Sequence, residues 1–299
     1  MLVLAACTQS KRGSVLSERR LRAHTAGGGA ASEIANEWTR ALAGHPGEPL
    51  AIEGLYKGAY WSAVLGLCSE LPAWRLAVVS AGLGLVAGSS AHAPYAATFG
   101  SGHDDSVPGG ETAEGRANWW RSLGGSDALR EAVLEADQVV VVLPNRYLDV
   151  VADDLIAGDR GQTVVFAASA PARLGARLGR RLVPLNSKMV RRLGTNVGAL
   201  APGAASYLLA RAHGTADIAG IHRLLEDLSP VGEPPLYPVR ARQSPPQVVA
   251  WLETVLRGPE PPASATAALR RFRDSGLAFE QKRFHRLYRE TRELLVEVP

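Results

Sequence analysis

The sequence predicts an α/β protein: a three-layer parallel-sheet domain followed by a C-terminal basic helical extension. Three observations carry that prediction. Four short apolar runs are continuous rather than alternating, the pattern of strands buried on both faces. Segments of helical periodicity separate them, which is the signature of βαβ units. Hydrophobic residues make up 46% of the 299 residues against 21% charged, enough for one large core and a smaller appendage.

The apolar runs are Met1 to Ala6, Leu76 to Ser80, Gln138 to Leu143 and Thr163 to Ala168. Helical patterns cover Ala31 to Leu42, Gly58 to Leu71, Ser126 to Ala136 and Tyr147 to Ala157, with later ones at Gly203 to Ala212 and Ala216 to Leu228. The segment from Gly100 to Gly115 is rich in Gly, Ser, Asp and Pro and reads as a long mobile loop. From Ser229 to Pro246 prolines accumulate (230, 234, 235, 238, 245 and 246), as in a stiff connector. A short helix at Gln247 to Arg257 and a break at Pro259, Pro261 and Pro262 follow. Ser264 is then a credible N-cap for terminal helices. The expected organisation is an α/β domain at 1–228, a connector with a short helix at 229–262, and a basic helical tail at 263–299.

The net charge of +4 and pI near 9.3 are mildly basic and do not by themselves imply a polyanionic partner. Cys7 and Cys68 offer neither a disulfide framework nor a metal-ligand spacing, which fits a cytoplasmic protein without a metal. Leu4-Ala5-Ala6-Cys7 has the look of a lipoprotein box. Only six residues precede Cys7 and none is charged, so the run reads as a buried strand. No apolar stretch approaches the roughly 18 residues of a membrane span. Only four residues are lysines, Lys11, Lys57, Lys188 and Lys282.

Ligands of open parallel sheets bind beyond the carboxyl ends of the strands. The residues there are Cys7, Thr8, Gln9, Ser10, Lys11 and Arg12 after the first run, and Ser80-Ala81-Gly82-Leu83-Gly84-Leu85 after the second. Pro144-Asn145-Arg146-Tyr147 follow the third, and Ser169-Ala170-Pro171 the fourth. Small, polar and basic residues thus converge on one rim, suited to an anionic or hydrogen-bonding ligand. Gly82-Leu83-Gly84 lacks the third glycine of a dinucleotide site, and phosphate-loop, zinc-protease and Gly-x-Ser-x-Gly motifs are absent. No cofactor is therefore implied.

His103-Asp104-Asp105 places an imidazole and two carboxylates on the long loop. They could act as a general base or steady a cationic transition state, or they could be a solvated loop tip. Lys11 is a candidate nucleophile or phosphate clamp, or else a solvated loop lysine. Tyr56, Tyr60 and Tyr95 lie near polar loops and are candidate stacking platforms, whereas Trp61, Trp119 and Trp120 read as packing residues. On a helical wheel Lys282, Arg286 and Arg289 form a basic stripe, a candidate contact to a DNA backbone or a solvated face. Phe284, Leu287, Tyr288 and Leu295 fall on the opposite face, placed to pack on the body.

Ser80-Ala-Gly-Leu-Gly-Leu85 followed by Ala93-Pro94-Tyr95 resembles the YaaA-like peroxide-stress DNA-binding proteins, which carry a Ser-Gly-Leu-Tyr-Gly-Leu stretch and then Gln-Pro-Tyr. The order Cys7-x-x-x-Lys11, Leu55-Tyr56, the Ser80 block, a strand from Val139 and Arg146-Tyr147 resembles a set of uncharacterised bacterial and phage domains. The likeness covers about the first half of the chain. It departs at Ala96, where those domains tend to place an Asp directly after Pro-Tyr. If that carboxylate matters in those domains, Asp104 or Asp105 would have to replace it, or the activity is different.

The resemblance implies nucleic-acid association, a link to modified bases and phage defence, and an outline similar to uracil-DNA-glycosylase-like folds. The resulting expectation is a hydrolase that excises a base from DNA, after extruding it into a pocket. Tyr56, Tyr60 or Tyr95 would stack on the base. Thr8, Gln9, Ser10, Asn145 and the backbone from Ser80 through Gly82 to Gly84 would line the pocket and read its edge. Asp104 or Asp105 would act on the sugar cation or on water. Lys11, Arg146 and the tail stripe would hold phosphates. The alternatives are a non-catalytic DNA-binding stress protein and an N-glycosidase on free nucleotides. No membrane and no obligate protein partner are expected.

Overall fold

The computed structural model describes residues 1–44, 47–71, 73–214, 217–228 and 240–296, the side chains of Lys282 and Val296 excepted. The chain divides into two compact units, Met1–Glu233 and Pro234–Pro299.

The first unit is built on a six-stranded sheet. Its strands are β1 (Leu2–Ala6), β2 (Arg75–Ser80), β3 (Gly84–Ala87), β4 (Val139–Val141), β5 (Thr163–Ala168) and β6 (Leu182–Leu185). Their order across the sheet is β3-β2-β1-β4-β5-β6, parallel except for the β2–β3 hairpin. All four expected strands are present, and their continuous apolar character reflects burial: Val3, Leu4, Val78, Val79, Val140, Val141, Val164 and Val165 have no exposed surface. Two strands were not expected. β3 occupies part of the Gly82-Leu83-Gly84-Leu85 run, whose glycines form a hairpin turn, with Gly84 at φ +70°. β6 closes the other edge and carries Pro184, which an edge strand tolerates.

Two helical groups cover the sheet. Helices α2 (Ala59–Glu70), α7 (Leu200–Arg211) and α8 (Ile218–Leu228) form one packed series. Helices α1 (Ala31–Gly44), α3 (Ala113–Ser122), α4 (Gly125–Leu134), α5 (Asn145–Gly158) and α6 (Ala172–Leu178) form the other. The chain leaves β1 for β2 on one side and leaves β4 for β5 on the other. Right-handed crossovers in opposite directions put their helices on opposite faces. The crevice between β1 and β4, where the winding reverses, is the place where such sheets bind ligands.

The expected loop from Gly100 to Gly115 is instead a turn-rich segment tied back to the body, and α3 begins within it. Thr98 N–H donates to the Asp105 carbonyl at 2.9 Å, and Val107 N–H to the Thr98 carbonyl at 3.0 Å. Thr112 caps α3 by accepting from Gly115 N–H at 2.9 Å. Trp119 and Trp120 then point inward with no exposed surface. Their indoles donate to the Ala81 carbonyl at 2.7 Å and to Asp154 at 3.1 Å.

The second unit has its own core. The helix α9 (Pro245–Leu256) packs with α10 (Ala265–Asp274) and α11 (Gln281–Val296), beside a short parallel pair, Ala241–Arg242 with Leu277–Ala278. Val248, Leu252, Leu269, Phe272, Phe284 and Tyr288 form its interior. Two expectations are corrected here. The short helix joins the later helices in one core rather than standing in a connector, because its apolar face meets theirs. Phe284 and Tyr288 are buried within this unit's own core, with Leu287 packed against it, rather than on the body of the first. Ser264 does cap α10, accepting from Ala267 N–H at 3.2 Å. The proline-rich stretch at 229–239 lies outside the described residues.

So small a core has little reserve, since a cluster of this size stabilises by only a few kcal/mol. Phe272→Ala, which empties a fully buried aromatic site, should cost about 3–5 kcal/mol. Limited proteolysis of the full chain should then cleave within 240–296 while the first unit stays protected.

Candidate functional site

A cleft of about 310 Å³ opens beyond the carboxyl end of β1 and beside the segment that follows the hairpin. Gln9, Lys11, Arg20, Arg22, Tyr95, Ala96, Thr98, His103, Asp104 and Asp105 line it. Its floor is a chain of hydrogen bonds. Ser80 Oγ accepts from the N–H groups of Gly82 (3.1 Å) and Leu83 (3.0 Å) and lies 2.5 Å from the Tyr95 hydroxyl, which lies 2.7 Å from that of Tyr56. With two N–H groups already on Ser80 Oγ, its own proton goes to Tyr95, and the proton of Tyr95 to Tyr56. Burial pushes both phenols up, so both remain protonated. A Cβ at Gly82 would stand 2.6 Å from the Tyr95 ring, which is why that position has no side chain.

Lys11 lies on this floor. Its backbone bridges to Tyr56, while Arg12 N–H donates to the Leu55 carbonyl at 2.8 Å and Lys57 N–H to the Ser10 carbonyl at 3.1 Å. Its ammonium donates to the Thr8 carbonyl at 2.9 Å and sits 4.3 Å from the Tyr95 ring centre and 5.5 Å from that of Tyr56. The residue is 8% exposed, and burial lowers its pKa against the opposing pull of Cys7 and Asp105. The aromatic faces offset part of the lost hydration.

The opposite wall holds two arginine–aspartate pairs. Arg20 is fixed by bridging to Ala96, and Leu21 N–H donates to the Ala96 carbonyl at 2.9 Å. Arg20 lies 3.5 Å from Asp105, which also accepts from Arg22 N–H at 3.2 Å. Arg22 reaches Asp104 at 2.9 Å. Asp105 is sheltered, its side chain 16% exposed, whereas Asp104 is 80% exposed on the rim. Asp105 therefore fits the chemical role foreseen for the pair better than Asp104. Ala96 and Asp105 line the same cleft.

Several expected binding residues serve the framework instead. Tyr56 and Tyr95 are each 1% exposed and Ser80 is fully buried, so no base can stack on the tyrosines face to face. Tyr60 is spent on the sheet: its hydroxyl accepts from Ala6 N–H at 2.9 Å and donates to the Val142 carbonyl at 3.0 Å. The Gly82 carbonyl accepts from Trp38 at 2.6 Å, and Gly84 packs against Leu123, so neither faces a ligand. Asn145 donates to the carbonyls of Ala168 (3.0 Å) and Ser169 (3.2 Å), tying two strand ends together. Thr8 turns its hydroxyl to the Ser10 carbonyl at 2.7 Å, and Ser10 itself is exposed. Gln9 lines the cleft, and Arg146 is exposed beside Gly100 and His103.

In the second unit Arg286 and Arg289 are exposed, with Arg286 3.7 Å from Glu290; the side chain of Lys282 lies outside the described residues. Arg20 and Arg22 were not singled out from the sequence. Their only local signal is the basic run from Arg19 to Arg22, and Arg19 is structural, donating to the carbonyls of Pro94 (2.9 Å) and Ala93 (3.0 Å).

Because folding lowers the pKa of Lys11, the unfolded chain binds the extra proton between that lowered value and 10.5. The charged lysine opposes folding at neutral pH, and the opposition is relieved as pH rises through that window. Lys11→Met should therefore leave stability at pH 7 unchanged or raised, and should flatten its dependence on alkaline pH. Urea unfolding at both pH values measures this; a clear loss at pH 7 would show that the Thr8 and tyrosine contacts outweigh burial.

Among the described residues no helix is long and apolar enough to cross a membrane. Comparison of the chain with protein-family models, curated proteins and solved structures yields no match.

Proposed function

We propose that the strand-end cleft is the active site of a hydrolase that cleaves the N-glycosidic bond of a nucleotide unit, in DNA or as its extruded base. The observation that carries this reading is the pairing of opposite charges on one ligand space: the buried ammonium of Lys11 and the sheltered carboxylate of Asp105. Glycosidic cleavage develops both signs at once. The departing base gains negative charge, and the sugar carbon becomes cationic.

In this reading Lys11 gives its proton to the leaving base, a task that a lowered pKa favours. Asp105 stabilises the sugar cation and takes a proton from the water that adds to the sugar carbon. Water is consumed, free base and free sugar hydroxyl are formed, and solvent returns the proton from Asp105 to Lys11. Arg20 and Arg22 hold Asp105 and Asp104 in place, while Gln9 and Thr98 offer hydrogen bonds to the base edge. Tyr95 contributes the support of Lys11 rather than a stacking face.

The cleft volume of about 310 Å³ also favours a second reading, action on a free nucleotide, since ligand pockets begin at about 300 Å³ and one nucleotide unit suffices to fill it. In both readings the bond broken is the same.

Incubation with normal and hypermodified phage DNA, and separately with nucleotides, followed by mass spectrometry of released base, tests the proposal. Asp105→Asn and Lys11→Met should each slow release by about 100-fold or more, while Asp104→Asn should matter far less. Undiminished release by Asp105→Asn would remove that residue from the chemistry. No release from any substrate, with salt-sensitive DNA binding intact, would favour the binding protein.

A further inference from the structure

We infer that a groove in the second unit, at the start of α11, binds single-stranded nucleic acid, with Phe279 as the stacking face for a base and Arg242 and Arg283 on the backbone phosphates. The inference goes beyond the reading of the cleft and does not rest on it, because every residue it uses lies within 240–296.

The groove has a volume of about 440 Å³, room for one nucleotide unit. Arg242, Gln243, Ala278, Phe279, Glu280 and Arg283 line it. Ala241 N–H donates to the Gly276 carbonyl at 2.8 Å and Gln243 N–H to the Ala278 carbonyl at 3.0 Å. This short parallel pairing sets Arg242 and Gln243 beside the Ala278-Phe279 segment. Phe279 precedes the capping residue of α11 and packs against the cluster that contains Phe284, which fixes the entry of the chain into the helix. The ring is only partly buried by that packing and also lines the groove.

The charges are open to an anion. Arg242 and Arg283 are exposed, and neither has an ion pair among the described residues. In the first unit, by contrast, Arg173 and Arg177 hold aspartates at 2.6 and 2.7 Å. Glu280 also lines the groove, but its carboxylate accepts from Arg283 N–H at 2.7 Å and so caps α11. The Arg283 guanidinium stands 5.5 Å from the centre of the Phe279 ring. That is near the outer limit of about 6 Å for such a contact, so an exposed side chain yields the ring to a base at little cost. Exposed Arg286, one turn along the same helix, extends the basic edge. An aromatic ring between arginines has the composition of a single-strand platform: bases of any identity stack on the ring, and the arginines track the backbone. An acidic peptide would use the arginines but not the ring, and a duplex keeps its base faces stacked on one another.

Fluorescence anisotropy of the full chain with a labelled short oligothymidylate, a duplex of the same length and a polyaspartate peptide tests the groove. The single strand should bind more tightly than the duplex or the peptide. Phe279→Leu, which keeps an apolar side chain against the core, should weaken that binding about fivefold or more, whereas Phe279→Tyr should retain it. Arg242→Gln and Arg283→Gln should each reduce the slope of log affinity against log salt by about 0.7. Melting curves verify folding, and the two arginine variants, at exposed positions, read the site even where Phe279→Leu melts early. Unchanged affinity in Phe279→Leu and both arginine variants would overturn the groove, as would losses confined to Arg286→Gln and Arg289→Gln. Duplex or peptide bound as tightly as the single strand, or no oligonucleotide binding at all, would overturn it too. Base release is read separately: its absence with oligonucleotide binding intact would refute the glycosidic reading and leave the groove standing.

Discussion

The site depends on burying Tyr95 under Lys11. The phenol ring fits against the backbone at Gly82 only because no side chain is there, and its hydroxyl closes a relay from Ser80 to Tyr56. Ser80 is in turn fixed by two N–H groups of the turn that starts the β2–β3 hairpin. Turn, tyrosines and lysine therefore form one polar assembly inside an apolar body. Ser80, Tyr95 and Tyr56 are joined by hydrogen bonds and Lys11 lies over the two rings, which is what makes the assembly rigid. The lysine is the member that meets the ligand space, and the rigidity below it fixes where its charge is presented.

The sheet sets this assembly at the carboxyl ends of β1 and β2. β1 delivers Lys11 a few residues after its last buried position, and β4 delivers Arg146 at the start of the helix that follows. The hairpin at the edge then brings Tyr95, Thr98 and the Asp105 turn across from them. Opposite charges are thereby separated by origin. The ammonium comes from the first strand, and the carboxylate from the segment after the hairpin, held by arginines from the segment after β1.

Much of the sheet was legible because full burial leaves a plain mark. Leu2–Ala6 is apolar throughout and Thr163–Ala168 is apolar after its first residue, and turn residues bound both. β3 was not legible, since its four residues begin at Gly84 and stop before Gly88, too short a run between glycines to read as a strand, and only pairing with β2 makes them one. α3 was hidden for a related reason: Gly115 and its polar residues mask a helix whose cohesion comes from two tryptophans reaching buried acceptors. At the site, residue type revealed Lys11 and Asp105 but not which polar groups the framework had already used. Tyr60 and Ser80 have suitable chemistry, yet their hydroxyls are engaged within the fold, Tyr56 is buried, and the amide N–H groups of Asn145 are taken by the end of a strand. Arg20 and Arg22 went unnoticed because arginine is abundant throughout this chain, and only geometry separates a placed guanidinium from a solvated one.

The distribution of charge bears on how the two units divide their work. Residues 1–233 carry 22 Lys or Arg against 22 Asp or Glu, and residues 234–299 carry 11 against 7, so the whole surplus of four belongs to the second unit. A neutral first unit has no long-range attraction for a polyanion, and its cleft must select by contact at close quarters. The basic second unit, with Arg286 and Arg289 exposed on α11, carries the diffuse field that the first lacks. Under the proposed function, the second unit supplies the long-range attraction and the cleft supplies selection at contact.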